Sequence, residues 1–355
     1  MRARRWWGWP LVPIYAVGLM ARDWLRRLGW LRVRRLEWPV ISVGSLSAGG
    51  AGKTPVVIAL AELLNGRGWH VDVLTRGYGR DSSDANLKDF AAQVVPDLDD
   101  AASRYGDEPT LIARKTGVPV WVSTNRFFAG KGAEDFATED VWNFVSETEV
   151  EVCAAAPVRG VHLLDDGFQH WGLARAVDVV LVTEEDLEEA LLPAGNRREP
   201  LGALRRADVV VLREAEREQV EARVRGLMRA GSAVWSVRRE LRFTEGGAGA
   251  RPLAFCAIAR PEGFWAMLKD AGCQLAEIVA FGDHHAYAMV DMVRMVAMAK
   301  ECGATGFITT EKDTVKLTDA MMERLREVGP VCVAGLTARF ENEAGVVREL
   351  EARLR

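Results

Sequence analysis

From Pro39 onward the chain alternates short apolar runs with longer stretches of helical periodicity. The runs 40–43, 70–74, 118–123, 161–164, 177–183 and 208–212 are nearly continuous rather than alternating. Strands of a parallel sheet buried on both faces read that way. Helical stretches at 55–65 and 214–229 separate them. Residues 236–252 break this rhythm, and their Gly-rich centre predicts a hairpin or linker. Strand and helix signals then resume, with runs at 253–258, 275–281, 306–310 and 331–334 and helices at 261–271, 288–302 and 313–327. The pattern predicts an α/β protein with a core over 36–235, a connector over 236–252, a second, smaller α/β domain over 253–355, and a cleft between them. It contains no internal repeat or low-complexity tract.

The first 35 residues follow another pattern. Residues 6–21 are almost wholly apolar, but this run is short of the roughly 20 residues that span a bilayer, and it contains Pro10 and Pro13. A signal peptide would lead to a small-residue cleavage site and a polar chain, whereas more tryptophan and arginine follow here. At a helical period Val17, Met20, Ala21, Trp24, Leu28 and Leu31 share one face. Arg22 and Arg26 lie opposite, with Asp23, Arg27 and Arg34 toward the flanks. This predicts an amphipathic helix in a membrane interface over 1–35. The plainer alternative is a helix whose apolar face docks on the protein's own core.

Charge sharpens that picture. Residues 1–35 hold nine arginines and one acid, about +8, so the remainder carries about −12 of the chain's net −4. A basic head on an acidic body suits an anionic surface rather than nucleic acid. At 355 residues, 49% hydrophobic and 27% charged, the chain has the length and proportions of a soluble protein of one or two domains. Its five cysteines, Cys153, Cys256, Cys273, Cys302 and Cys332, are widely spaced, so neither a disulfide framework nor a zinc site is expected. No obligate protein partner is evident.

The segment Ser47-Ala-Gly-Gly-Ala-Gly-Lys-Thr54 lies between a predicted strand and a predicted helix. Glycines there let successive backbone N–H groups turn inward and cradle phosphate oxygens. A lysine then reaches the β- and γ-phosphates, and a hydroxyl ligates Mg²⁺. Ser47, Ala48, Gly49, Gly50, Ala51, Gly52, Lys53 and Thr54 are therefore the expected ATP-binding residues, although the usual first glycine is Ser47 here. The expected fold becomes a P-loop NTPase-type parallel sheet flanked by helices. Downstream, a buried strand ends at Asp165-Asp166-Gly-Phe-Gln-His170, where P-loop proteins place carboxylates beside Mg²⁺. Two adjacent carboxylates repel unless a cation relieves them, but the same triplet also occurs as a plain turn. Three weaker clusters sit at strand ends or in loops: 75–80 (Thr-Arg-Gly-Tyr-Gly-Arg), 106–109 (Gly-Asp-Glu-Pro) and 281–285 (Phe-Gly-Asp-His-His). The residues by themselves imply an ATP-using phosphotransferase or ATPase with an unspecified acceptor.

Together with residues 192–200 (Leu-Pro-Ala-Gly-Asn-Arg-Arg-Glu-Pro), 254–261 (Ala-Phe-Cys-Ala-Ile-Ala-Arg-Pro) and Thr310-Glu-Lys-Asp313, these motifs resemble the tetraacyldisaccharide 4'-kinases of lipid A biosynthesis, over most of the chain. The departures are Ser45, where asparagine is common, and Ala257 and Ala259, where glycine is expected. The resemblance implies transfer of the ATP γ-phosphoryl group to the 4'-hydroxyl of an acylated glucosamine disaccharide 1-phosphate, on the cytoplasmic face of the inner membrane. It implies that Asp107 pairs with His284 to activate that hydroxyl, with Lys53 and Asp166 also catalytic. Thr54, Asp165, Asp166 and Glu108 would lie by Mg²⁺, Arg198 would contact phosphates, and Tyr78 and Arg80 would line the acceptor side. Thr310-Glu-Lys-Asp313 carries no role that can be read from the residues.

Two rivals belong to other classes. A membrane-associated ATPase switch of the partitioning type also begins Gly-Gly-x-Gly-Lys-Thr, but it carries a lysine where this chain has Ala48. A lipid-binding module holding nucleotide for structure alone would not turn ATP over at all.

Overall fold

The apolar runs line up side by side in one 12-stranded sheet. The computed structural model describes residues 6–49, 52–77, 91–98, 100–147, 159–244 and 247–354. The strands are β1 (Val40–Ser45), β2 (His70–Thr75), β3 (Ala92–Gln93), β4 (Val120–Val122), β5 (Gly160–Asp165), β6 (Val177–Val182), β7 (Val209–Arg213), β8 (Ala233–Phe243), β9 (Leu253–Cys256), β10 (Glu277–Ala280), β11 (Phe307–Thr310) and β12 (Val331–Phe340). Their spatial order is β10-β9-β11-β12-β8-β7-β6-β1-β5-β2-β4-β3. Every neighbouring pair is parallel except β8 with β12 and β3 with β4. β1, β5 and β6 are buried at every position, as continuous apolar strands covered on both faces should be.

Helices α1 (Val12–Arg27), α2 (Lys53–Asn65), α3 (Asp107–Thr116), α4 (Arg126–Glu147), α5 (Arg217–Leu227), α6 (Pro261–Asp270), α7 (Met289–Glu301) and α8 (Glu343–Leu354) connect or flank the strands. α2 buries Val57, Leu60, Ala61 and Leu64, one stripe at helical spacing, against the β1 side of the sheet. Each fully buried aliphatic side chain there contributes about 1.5–3 kcal/mol.

Three expectations are corrected. The predicted linker 236–252 begins as a strand: β8 runs to Phe243 and pairs with β7 on one side and β12 on the other. Its polar residues misled because β8 is buried only in part, so its pattern is neither continuous nor cleanly alternating. β12 extends to Phe340, well past the predicted 334, through antiparallel pairing with β8. The predicted helix 313–327 is two pieces, Glu311–Thr314 and Asp319–Arg326, the second capped by the Thr318 hydroxyl. The chain's end also crosses the predicted boundary. Val346, Val347 and Leu350 of α8, with Ala338 and Phe340 at the end of β12, share a core with Ile41, Val43 and Val56.

The apolar face of α1 is turned outward. Ile14, Val17, Met20 and Trp24 are 61–71% exposed, so that face does not dock on the core. The arginine side, opposite it as expected, docks on the body instead. Arg22 pairs with the buried Glu199 at 2.6 Å, and Arg26 stacks on the Trp171 ring at 3.9 Å. The Tyr15 hydroxyl donates to the Arg198 carbonyl at 2.9 Å. Among the described residues, no helix is long and apolar enough to cross a membrane.

Candidate active site

β1 ends at Ser45, and its chain turns through the Gly-rich loop into α2, whose first residue is Lys53. Gly49 (φ 69°) and Gly52 (φ 87°) hold the left-handed backbone that this turn needs and that other residues resist. Gly50 and Ala51 lie outside the described residues. Ser47 needs no positive φ, so serine is tolerated where the usual loop has glycine. It is buried and bridges in antiparallel fashion to Arg197, while the Ala48 N–H donates to the Asn196 carbonyl at 2.9 Å. Segment 196–199 thus lies along the loop, and the Arg198 N–H donates to the Leu46 carbonyl at 2.7 Å.

β5, paired with β1 on one side and β2 on the other, delivers Asp165 and Asp166 beside this loop. Lys53 Nζ is 3.3 Å from Asp166 Oδ1, and Arg198 Nη1 is 2.7 Å from Asp166 Oδ2. Burial opposes the Asp166 charge, but Lys53 and Arg198 outweigh it and its pKa is lowered. Asp165 has the opposite fate. Burial, then the nearby charges of Glu108 and Asp166, push it up to about 7, although Thr75 Oγ1 donates to it at 3.3 Å. Gly44 has no room for a side chain, since a Cβ there would lie 2.5 Å from that of Phe168, so the Asp-Asp-Gly-Phe turn packs directly on β1. Arg175 Nη1 braces the same turn by donating to the carbonyls of Gly167 and His170.

Residues 177 apart in sequence complete the cluster. His284, in the loop after β10, places Nδ1 3.0 Å from Asp107 Oδ2 at the start of α3. Its hydrogen bond to Asp107 raises the His284 pKa against burial and Lys312. Burial opposes the Asp107 charge, but His284 and Lys312 outweigh it and lower its pKa. Among the described residues, the non-glycine residues with positive φ are Asp166 (48°) and His284 (59°), both in this site. Backbone held in that region costs on the order of 1–3 kcal/mol and persists where surrounding contacts over-determine it. His285 is committed elsewhere: it pairs with Asp291 at 3.0 Å and stacks on Phe281.

The donors fit a nucleotide phosphate chain with Mg²⁺. Asp166 Oδ1 is buried and faces the Lys53 ammonium at 3.3 Å, and the adjoining Asp165 sits in an excess of negative charge that a cation would relieve. Among the described residues, no three carboxylate, imidazole or thiolate groups converge into a cage of their own. Mg²⁺ commonly takes one or two carboxylates together with phosphate oxygens and water.

The structure therefore gathers Ser47, Lys53, Asp107, Glu108, Asp165, Asp166, Arg198 and His284. Thr54 stands next to Lys53 in the first turn of α2. Tyr78 and Arg80 lie outside the described residues. Sequence reasoning passed over two contributors. Ser45, noted only as a departure, lies 3.4 Å from Lys53 Nζ through its hydroxyl. Lys312 approaches Glu108 at 3.0 Å, and its motif was the only signal that marked it.

The family model for tetraacyldisaccharide-1-P 4'-kinase matches residues 4–355. A tetraacyldisaccharide 4'-kinase from Koribacter versatilis is 34% identical over 350 residues, covering 96% of this chain and 97% of the relative. One from Anaeromyxobacter dehalogenans is 37% identical over 324 residues, covering 84% and 79%. Among solved structures, the "apo" form of LpxK from Aquifex aeolicus in complex with ATP is similar with a TM-score of 0.72, at 30% identity over 98% of both chains. The ATPase-switch alternative finds no support in this set. By motif order, site geometry and full-length similarity, the chain belongs to the tetraacyldisaccharide-1-phosphate 4'-kinase family, the ATP-dependent kinases of lipid A biosynthesis.

Proposed function

We propose that the Asp107–His284 pair activates the 4'-hydroxyl of a tetraacyldisaccharide 1-phosphate for attack on the γ-phosphorus of ATP. Asp107 accepts from His284 Nδ1–H and so fixes the tautomer that leaves Nε2 to take the hydroxyl proton. As the new O–P bond forms, the bond from γ-phosphorus to the β,γ-bridging oxygen breaks and ADP leaves. Lys53 and Arg198 neutralise charge that spreads over the transferring group. Mg²⁺, held by Thr54 with Asp165, Asp166 or Glu108, would supply charge neutralisation between the β- and γ-phosphates. Tyr78 and Arg80 are assigned to the acceptor side. The reading rests on one observation: Asp107 and His284, from opposite ends of the sheet, meet beside the Lys53–Asp166–Arg198 cluster. On this view residues 36–235 hold the nucleotide, and the lobe built on 253–334 brings His284 across the cleft.

The measurement is transfer of labelled γ-phosphate to a detergent-dispersed tetraacyldisaccharide 1-phosphate. Label at the 4'-position is expected, and ATP should be consumed only with acceptor present. Acceptor-independent turnover would restore the ATPase switch.

The exposed face of α1, with Trp6, Trp7 and Trp30 beside it, enters the membrane interface at the cytoplasmic side, where the lipid acceptor is presented. Support comes from an apolar helix face turned outward while its arginine side is committed to the body. Replacing Val17, Met20 and Trp24 together by glutamate should abolish co-sedimentation with anionic liposomes while sparing ATP binding. Undiminished sedimentation would refute the membrane role of this face. Deleting 1–35 is a poorer test, because it also removes Tyr15 and Arg22 from their contacts with Arg198 and Glu199.

A further inference from the structure

The segment Thr310-Glu-Lys-Asp313 runs from the last residue of β11 into the short helix Glu311–Thr314 and has no part in the chemistry above. Its framework is rigid. The Asp313 carboxylate accepts from the Ala257 N–H at 3.1 and 3.2 Å and from the Thr310 hydroxyl at 2.6 Å, and it pairs with Lys316 at 2.9 Å. Between these anchors, Glu311 and Lys312 reach α3 with opposite charge. Glu311 Oε2 meets Lys115 Nζ at 2.7 Å. Lys312 Nζ lies 3.0 Å from Glu108 Oε1 and 3.7 Å from Asp107 Oδ2. Glu108 and Lys115 are two helical turns apart, hence on one face of α3. The same Oδ2 of Asp107 lies 3.0 Å from His284 Nδ1.

We propose that Lys312 is a positioning residue for phosphoryl transfer, holding Asp107 and Glu108 of α3 in register with His284. This rests on the roles given to Asp107 and His284 above. Lys312 and His284 both come from the second half of the chain, by way of β11 and β10, and both converge on one carboxylate oxygen of the first half. The Glu108 N–H donates to Asp107 Oδ1 at 2.9 Å and so fixes one oxygen, while Lys312 and His284 meet at the other. With Glu108 tied to the same ammonium, Lys312 adds the hold on Oδ2 that keeps the orientation His284 requires. The Lys312 side chain is only 19% exposed, so its bonds compete little with water. Asp283, 3.8 Å from His284 Nε2, and Lys316 complete the charges around the pair. The neighbouring Lys115–Glu311 bridge joins the same two elements without touching Asp107 or His284, so holding the halves together and orienting the pair can be separated.

Steady-state kinetics on the full chain with dispersed lipid acceptor test the proposal. Lys312→Met should lower kcat about 10- to 100-fold, the scale of a misplaced catalytic group, while both KM values stay within about threefold. Lys312→Arg should recover most of that loss, and Lys115→Met should leave kcat near the parent value. In an Asp107→Ala background Lys312→Met should cost no more than about twofold, because the group it orients is gone. If Lys312→Met does not fold, Lys312→Gln takes its place with the same expectations. The proposal is overturned if the single variant keeps more than about half the parental kcat, or if its cost is undiminished in the Asp107→Ala background, the mark of a general packing role. An Asp107→Ala enzyme as active as the parent would instead sink the reading of the Asp107–His284 pair itself.

Discussion

Two of this molecule's histidine–carboxylate groups, those of His284 and His162, share ingredients but not situation. His284 is half-buried, meets Asp107, and sits beside the phosphate loop. His162, on β5, is fully buried between Asp72 and Glu134, with both ring nitrogens 3.4 Å from carboxylate oxygens. Asp72 pairs with His162 across β2 and β5, the same two strands that bring Thr75 to Asp165 three residues further on, about 10 Å away. Glu134 also accepts from the backbone N–H groups of Glu37 and Trp38, at 2.6 and 2.8 Å, so this group anchors the entry to β1. Trp38 stacks over His162 and closes it from solvent. The difference teaches that a histidine flanked by acids is not in itself a reactive site. One nitrogen must be left to reach a substrate.

The comparison can be broken from either side. The largest effect expected at the reactive end is that of Lys53→Ala, at least ~10³-fold in turnover, because the loose transition state depends on charge neutralisation at the γ-phosphate. A variant within an order of magnitude of the parent would remove Lys53 from the chemistry. His284→Ala and Asp107→Ala should each cost about 10²–10⁴-fold, the share of a general base. Their double variant should be scarcely worse than the worse single one, and multiplicative losses in a kinetic cycle would show that the two act separately.

His162→Ala should behave oppositely. Removing one partner of a buried ion group costs about 3–5 kcal/mol of stability, while turnover of the folded fraction stays within about threefold, as expected of an independent site. Denaturant unfolding run beside the transfer assay separates the two outcomes.

The pH dependences sharpen the contrast further. His284 must lose its proton to act, and its bond to Asp107 raises its pKa, so the acid limb of kcat/KM should lie above the ordinary histidine value of 6.5. Asp107→Asn should move that limb downward, measured on the residual activity. Glu134 has its pKa lowered to about 2: burial opposes its charge, but His162, the Trp38 N–H and Lys131 outweigh burial. Its stabilisation is therefore complete above the unfolded value near 4.5 and is lost as pH falls toward about 2. The raised pKa of His162 places its own contribution below 6.5, lost as pH rises through the folded value. Glu134→Gln should flatten the acid side of the stability curve without moving the activity limb, the smallest of these effects.

Sequence alone determined the features whose physics is local. Continuous apolar runs marked ten of the strands, most clearly β1, β5 and β6, where burial on both faces leaves few polar positions. Glycine spacing marked the phosphate loop, since Gly49 and Gly52 must adopt a backbone other residues avoid. Helical periodicity found the apolar face of α1 but could not say which side meets the body. That depended on Glu199 and Trp171, residues more than 140 positions away. β8 stayed hidden because a half-buried strand of arginine and glutamate resembles a linker until β12 pairs with it. His162 and Lys312 stayed hidden for a related reason. A lone histidine in an apolar strand and a lysine in a short motif carry no periodic signal. Only the tertiary structure decided their partners, because β-pairing and ion-pairing between distant segments depend on where the chain returns, and no local preference records that.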